Sequence, residues 1–169
     1  KVGNFFNLIN DSVGGDWGKD STQGKYVCEV FCIRGADIPE LDSGKTGKMP
    51  TRFILQKNFE AKVLNENDIV IEISGGSPTQ STGRMVLISK ELIRRFSNPL
   101  ICSNFCRKIS VKNEIYAEFL YMYLNVLYKN EVFFQFENGT TGIKNLDVNN
   151  LFDKYQIVLP NQEIVANFQ

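Results

Sequence analysis

The sequence predicts a mixed α+β domain, with a mainly antiparallel or curved β-sheet and a few helices. Three observations predict it: short apolar runs bounded by Gly, Pro and polar clusters, one clear segment of helical period, and no regular alternation of strand and helix. The chain has 169 residues, of which 43% are hydrophobic and 22% are charged. That length and composition suit one globular domain with a core of its own.

The predicted strands occupy most of the first two thirds of the chain and recur once near its end. They are expected at residues 25–34, 52–56, 69–74, 84–89, 100–106 and 155–160. Two polar segments between them, residues 36–51 and 75–83, are punctuated by Gly and Pro and are therefore predicted as loops. Long loops in a compact domain are usually functional or disordered.

Helices are predicted in the last third of the chain. The clearest begins near Asn113, which can cap it, and core packing best explains its apolar stripe. The stripe consists of Tyr116, Phe119, Leu120, Tyr123, Leu124, Leu127 and Tyr128. A short helix capped by Asp147 follows, and a last helix begins at Asn161. We expect residues 1–160 to form the domain and residues 161–169 to be the truncated start of a helical spacer.

The net charge is zero, from 19 basic and 19 acidic residues, which by itself weighs mildly against a nucleic-acid partner. The distribution is uneven, because three stretches contain basic residues and no acid: residues 43–59, 73–90 and 92–113. A neutral chain can therefore carry a basic face. No apolar run approaches the ~18 residues of a membrane span, and residues 1–10 lack the apolar core of a signal peptide. We expect no membrane partner and a cytoplasmic location.

Four cysteines occur as two pairs with the same spacing, Cys28 with Cys32 and Cys102 with Cys106. Both pairs fall in predicted strands, where positions four apart lie roughly 13 Å from one another at ~3.3 Å per residue. One zinc ion cannot bind both members of a pair, since zinc–sulfur bonds are only ~2.3 Å long. We therefore predict buried free thiols and no metal site.

Catalytic groups are scarce in this sequence. It contains no histidine, which excludes Ser-His-Asp triads and histidine-metal nucleases. A Gly-Lys-Thr triplet at residues 44–46 is no P-loop, because Pro39 stands where the first glycine of that motif belongs. The sequence therefore indicates neither an enzyme nor a bound cofactor.

Three short sequence blocks are spread over nearly the whole chain, from Trp17 to Glu163. They are Trp17 with residues 30–38 (VFCIRGADI), residues 67–75 (NDIVIEISG), and residues 139–146 (GTTGIKNL) with Leu151 and residues 157–163 (IVLPNQE). In this order they resemble the specificity subunits of type I restriction-modification systems. That family has an Arg/Thr-Gly-Ala-Asp-Ile element, a Gly-Asp-Ile-Leu strand, a Gly-Ser/Thr-Thr turn and a Val-Pro-Leu-Pro strand.

The resemblance implies a non-catalytic DNA target-recognition domain that reads one half of a bipartite target. It also implies partners: double-stranded DNA, methyltransferase (modification) subunits and a restriction subunit. S-adenosylmethionine, ATP and Mg²⁺ are then expected only on the partner subunits. An apolar start to the C-terminal helix, expected to be exposed at Ile164, Val165 and Phe168, favours self-association.

Two other interpretations stay open. One is the recognition domain of a single-chain restriction-methylation enzyme, which would keep the same fold. The other is a small cytosolic enzyme or protein-interaction domain that shares the architecture, and the zero net charge is its main support.

In a DNA-reading domain, Lys and Arg supply affinity through phosphates, and side chains at base edges supply specificity. Arginine fits guanine, and Asn or Gln fits adenine, because those contacts are bidentate. The two predicted loops and their flanks carry such residues. For bases they offer Arg52, Gln80 and Arg84, and for backbone or other polar contacts they offer Lys45, Lys48, Ser77, Ser81 and Thr82.

Four residues of the three sequence blocks are predicted to have structural roles and not to contact DNA. Thr140, Thr141 and Lys144 are expected to form a turn that seats the short helix. Trp17 is expected to serve in the core or in packing rather than to stack on a base.

Overall fold

Strands and helices follow one another irregularly in the computed structural model, which describes residues 1–139 and 142–167. Its strands are β1 (Val2–Asn4), β2 (Ile9–Gly14), β3 (Tyr26–Ile33), β4 (Thr51–Leu55), β5 (Ile69–Glu72), β6 (Ser74–Gly75), β7 (Met85–Leu87), β8 (Leu100–Cys102), β9 (Cys106–Val111), β10 (Glu137–Asn138), β11 (Lys144–Leu146) and β12 (Gln156–Val158). Its α-helices are α1 (Ile38–Asp42), α2 (Gln56–Lys62), α3 (Lys90–Arg94), α4 (Ala117–Lys129), α5 (Val148–Lys154) and α6 (Gln162–Ala166). Short 3₁₀ helices span Phe5–Asn7, Glu114–Tyr116 and Val132–Phe136. The predicted α+β class is confirmed.

A four-stranded antiparallel sheet in the order β2-β9-β5-β7 lies at the centre of the fold. β5 is buried at every position, including Glu72 at its end, which explains why residues 69–71 are all apolar in place of alternation. Because neighbouring residues of a strand point to opposite faces, Ile69 and Ile71 join a core built with α4 and α5. Val70 joins a second core, built with α1, α3 and the adjacent sheet.

The adjacent sheet has the order β4-β3-β8, in which β3 is antiparallel to β4 and parallel to β8. One face contributes Ile33 and Leu100 to the second core. The other face forms a small third core with α2, whose members are Val30, Cys32, Ile54, Ile101 and Phe59. Two smaller antiparallel sheets, β10-β11-β6 and β1-β12, complete the described part.

Both capped helices of the sequence analysis are confirmed. The Asn113 side chain accepts a hydrogen bond from the N–H two residues on (3.2 Å) and starts a 3₁₀ turn that continues into α4. The Asp147 side chain accepts one from the N–H three residues on (3.0 Å) and caps α5. The apolar stripe of α4 packs in the first core, as predicted.

Two predicted segments are wrong in detail. Residues 36–51 are not loop throughout, because α1 lies among them and buries Ile38 and Leu41. Residues 100–106 are not one strand, because a turn separates β8 from β9, with Cys106 N donating to Ser103 O (2.9 Å). Helix α3 and strand β2 lie where the sequence predicted no regular element, and α2 begins at Gln56, the last residue of a predicted strand.

The four cysteines are free, and three of them, Cys32, Cys102 and Cys106, are buried, whereas Cys28 is half-buried. The second pair flanks a turn, so its predicted placement on one strand is wrong. Burial raises the pKa of Cys32 to about 12, and electrostatic interaction with Cys106 contributes a smaller part of that increase. Within residues 1–139 and 142–167, no group of three or more His, Cys, Asp or Glu residues is placed to hold a metal ion.

Helix α6 begins as predicted, with the Asn161 side chain accepting a hydrogen bond from Glu163 N (3.1 Å). Ile164 is 65% exposed, but Val165 is buried, so the expectation of an exposed side chain is wrong for Val165. Phe168 lies outside the described residues, and the division at residue 160 stays a prediction. In the part of the chain that the structure describes, no helix is both long and apolar enough to cross a bilayer.

Candidate nucleic-acid interface

A cleft of ≈ 470 Å³ opens where β3, β5 and β8 end. It is lined by Trp17, Arg34, Gly35, Ala36, Glu72, Ser74, Ser103, Asn104 and Phe105. These residues belong to segments that are far apart in the sequence. The first loop (residues 34–50) leaves the cleft after β3, and the second loop (residues 76–84) leaves it after β6. The turn at residues 103–105, between β8 and β9, lies beside both.

Backbone hydrogen bonds connect this turn to both loops. Ser103 N donates to Ile33 O (2.9 Å), at the start of the first loop. On the other side, Ile73 N and Ser74 N donate to Phe105 O (2.9 and 3.2 Å), just before the second loop. The turn therefore lies between the bases of the two loops, and the three segments form one continuous surface.

The carboxylate of Glu72 lies under this surface and is only 2% exposed. Arg84 binds it through two hydrogen bonds, Nε to Oε2 (2.9 Å) and Nη2 to Oε1 (2.5 Å), and this raises the pKa of Arg84. A Cβ on Gly35 or on Gly75 would come within 3 Å of Glu72 Oε1. Both loops therefore depart from the same buried ion pair, in space that only glycine fits.

Arg34 holds the first loop in place. Its guanidinium binds Asp37 through Nε (2.8 Å) and Nη2 (2.9 Å), and Nη2 also donates to Lys48 O (3.0 Å). Burial acts to raise the pKa of Asp37, but the hydrogen bonds from Arg34 outweigh it and hold that pKa below its ordinary value. The side chains of Lys45 and Lys48 are exposed and form no ion pair with a described residue.

Ser77 folds the second loop into a tight turn. Its Oγ accepts hydrogen bonds from Gln80 N (3.0 Å) and Thr79 N (3.3 Å), and Ser77 N donates to Gln80 O (2.8 Å). Thr82 N binds the carboxylate of Glu137 on β10. The loop is thereby fixed against its neighbours, while Thr79 and Gln80 are exposed at its tip.

The eight residues predicted to contact DNA differ in accessibility. The exposed or half-buried ones are Lys45, Lys48, Ser77, Gln80 and Arg84. The buried ones, none of them more than 5% exposed, are Arg52, Ser81 and Thr82. Burial argues against direct DNA contact by these three. Contact by the other five stays a prediction.

Arg52 organises the corner of the fold that holds Trp17. Its Nε donates to Trp17 O (2.7 Å), its guanidinium lies 4.2 Å from the centroid of the indole ring, and it forms an ion pair with Asp20. Trp17 is therefore packed on one face, as predicted, but it is not in the core. It is 39% exposed and lines the cleft.

The predicted structural turn after β10 is described only in part. Lys144 lies in β11, where its Nζ pairs with Glu137 (3.1 Å) and its carbonyl accepts a hydrogen bond from Thr82 Oγ1 (3.4 Å). These contacts agree with a structural role for Lys144. Thr140 and Thr141 lie outside the described residues.

Several basic residues of the acid-free stretches form hydrogen bonds within the fold and do not contribute to an exposed basic surface. Arg107 donates to Ser12 Oγ (2.8 Å) and Ser12 O (2.7 Å), and the buried Lys108 donates to two carbonyls at the end of α2. Arg94 and Arg95 are exposed instead, and Arg95 Nη1 donates to Gly44 O (2.6 Å) in the first loop. These two arginines extend the cationic surface beyond the residues that the sequence singled out.

Asn104 and Phe105 were not predicted as site residues, because residues 100–106 were predicted as one strand. Both are exposed, and Phe105 is 52% exposed. A Ser-Asn pair between two apolar runs is typical of a turn. This local pattern indicates a turn at residues 103–105, and a turn would have exposed both side chains.

Among the comparisons with known proteins, one shows the family of this chain and another shows a similar fold. The family model "Type I restriction modification DNA specificity domain" matches residues 40–169. The crystal structure of a type I restriction-modification system S subunit from M. genitalium is similar in fold, with a TM-score of 0.51 and 14% identity. The match covers 90% of this chain and 32% of that chain, so this chain spans about a third of that subunit. No curated protein sequence matches. The chain belongs to the type I restriction modification DNA specificity domain family.

Proposed function

We propose that this chain is a DNA target-recognition domain that reads one half of a bipartite target for a type I restriction-modification complex. The observation that carries the proposal is the convergence of the β8–β9 turn and the bases of two loops, which carry exposed lysine and glutamine side chains, on one cleft. A protein surface that reads DNA needs cations for phosphates and hydrogen-bonding side chains for base edges. This surface offers both.

The exposed lysines are the natural phosphate contacts. Lys45 and Lys48 have no acidic partner among the described residues, so their charges are available to DNA. Gln80 is exposed at the tip of the second loop, where its Nε2 donates to Tyr128 Oη (3.2 Å). Its Oε1 and the second hydrogen of Nε2 are left for the bidentate contact that Gln makes with adenine. Arg84 uses Nε and Nη2 to bind Glu72, so Nη1 is the nitrogen that it can offer.

The domain is proposed to act without catalysis of its own. It directs methyltransferase and restriction subunits to the target, and those subunits bind S-adenosylmethionine, ATP and Mg²⁺. The absence of histidine from the sequence supports this division of labour, as does membership of a DNA specificity family.

Methylation mapping tests the proposal. Genomic DNA is compared between cells that carry the intact gene for this chain, with its partner subunits, and cells that lack that gene. We expect a methylated site made of two half-sites only when the gene is present, and substitutions in this chain should alter one half-site. Loss of the gene with no change in methylation would contradict the proposal. Methylation without the partner subunits would instead identify a single-chain enzyme.

A further inference from the structure

We propose that the β8–β9 turn is a base-reading element of the recognition surface. In this assignment Asn104 binds the edge of an adenine, and Phe105 contacts the 5-methyl group of a thymine in a neighbouring base pair. The assignment rests on the proposed DNA-recognition function and specifies part of it. It adds a third element to the two loops and names the bases that it reads.

The turn is rigid, which is the first requirement for discriminating one base from another. The Ser103 backbone and side chain close it, with Cys106 N donating to Ser103 O (2.9 Å) and Phe105 N donating to Ser103 Oγ (3.3 Å). Ser103 itself is 1% exposed. Further backbone bonds to Ile33 and Ile73 fix the turn to both sheets. Little conformational freedom remains to be lost on binding.

The side chains at the tip are free to contact a ligand. Asn104 is exposed, and its amide has no hydrogen-bond partner within residues 1–139 and 142–167. Phe105 is a large apolar side chain that remains 52% exposed at the cleft, although its backbone is fully engaged. An amide beside an apolar ring matches the edges of adjacent base pairs in the major groove. Asn binds adenine N6 and N7 together, and apolar groups pack on the thymine methyl.

The surroundings favour DNA over a small apolar ligand. The turn lies within the acid-free stretch at residues 92–113, and the first loop beside it carries the exposed Lys48. Among the described residues that line the cleft, Glu72 is the only one with a carboxylate, and Arg84 neutralises it. A polyanion can therefore approach the cleft wall without meeting an unpaired carboxylate, whereas the exposed Glu40 and Asp42 of α1 lie outside the cleft lining.

Binding of modified duplexes tests the role of Asn104. The full-length protein, assembled with its partner subunits, is first used to select its site from random duplexes, and each adenine of that site is then replaced with 7-deazaadenine, which lacks N7. We expect one replacement to weaken wild-type binding ~5–150-fold. The Asn104→Ala protein should lose preference at that base pair and become insensitive to the same replacement.

A second replacement tests Phe105 in the same assay. Deoxyuridine differs from thymidine only in lacking the 5-methyl group, so we expect one such change, next to the adenine read by Asn104, to weaken wild-type binding several-fold. The Phe105→Ala protein should bind both duplexes equally. Asn149→Ala on α5 and Val158→Ala on β12 are matched controls, because both side chains are exposed and neither lines the cleft.

The outcomes separate this assignment from the function on which it rests. A wild-type protein that selects no sequence contradicts the proposed function itself. A wild type with a defined site, combined with an Asn104→Ala protein that keeps the whole preference, overturns the base-reading role alone. A uniform loss of affinity over all sequences overturns it too, because it would indicate a contact with the DNA backbone.

Discussion

At the scale of single residues, the ion pair between Arg84 and Glu72 couples stability to the recognition surface. We expect Arg84→Ala to destabilise the protein by about 2 kcal/mol. Removing one partner of a fully buried pair costs roughly 3–5 kcal/mol, and the 27% exposure of the Arg84 side chain reduces that cost because water can reach Glu72. Urea unfolding of the full-length protein measures the change.

A double-mutant cycle provides the control for this prediction. In a Glu72→Gln background the buried charge is gone, so Arg84→Ala should cost much less than it does in the wild type. Equal costs in the two backgrounds would show that the pair does not carry the effect. The cycle also matters for DNA binding, since a loss of sequence preference in Arg84→Ala can then be compared with the loss of stability.

Arg52 shows why the role of a single basic residue was harder to predict than the presence of basic stretches. An arginine in an acid-free stretch is a reasonable candidate for DNA contact on sequence grounds. Its real partners, Trp17 and Asp20, lie more than 30 positions earlier in the chain. No pattern of neighbouring residues contains that information, because the pairing exists only once β4 has been placed beside residues 17–20.

At the scale of elements, Gly83 determines how the second loop joins β7. Its φ is +125°, and a Cβ there would come within 3 Å of the buried Phe133 ring in the 3₁₀ helix Val132–Phe136. We expect Gly83→Ala to destabilise the protein by roughly 2–4 kcal/mol, since backbone strain and overpacking add together. Thermal unfolding measures it.

Gly24 supplies a matched control for that prediction. Its φ is also positive, at +56°, but a Cβ there would meet nothing within 4 Å. Gly24→Ala should therefore show the backbone cost alone, of about 1 kcal/mol for a residue with a side chain in the left-handed region. If the two variants unfold at the same temperature, the contact with Phe133 does not constrain the loop.

The sequence was most informative about elements with a strong pattern. β5 begins with three consecutive apolar residues and α4 has a clear helical stripe, and both are where the sequence predicted them. Helices α2 and α3 have only seven and five residues, too few to show a period. The turn after β8 was missed because apolar residues flank it on both sides, which made the whole segment resemble one strand.

At the scale of the whole molecule, the zero net charge conceals two populations of basic residues. Some form contacts inside the fold, as Arg52 and Arg107 do. Others are exposed in the first loop, as Lys45 and Lys48 are. The family could be predicted from three short blocks in order. The cleft could not, because it joins residues 17, 34–36, 72, 74 and 103–105, which become neighbours only through sheet topology.

This separation of charges predicts how DNA binding depends on salt. Each phosphate contact contributes about 0.9 to the slope of log K against log salt concentration. The double variant Lys45→Gln/Lys48→Gln should therefore make the slope shallower by about 2 and weaken binding equally on all sequences, as measured by fluorescence anisotropy of the full-length protein over a range of salt concentrations. Lys25→Gln/Lys57→Gln removes the same charge from exposed positions outside the first loop and should leave the slope nearly unchanged. If both doubles lower the slope alike, the DNA responds to net charge and not to the first loop, and the proposed phosphate contacts are wrong.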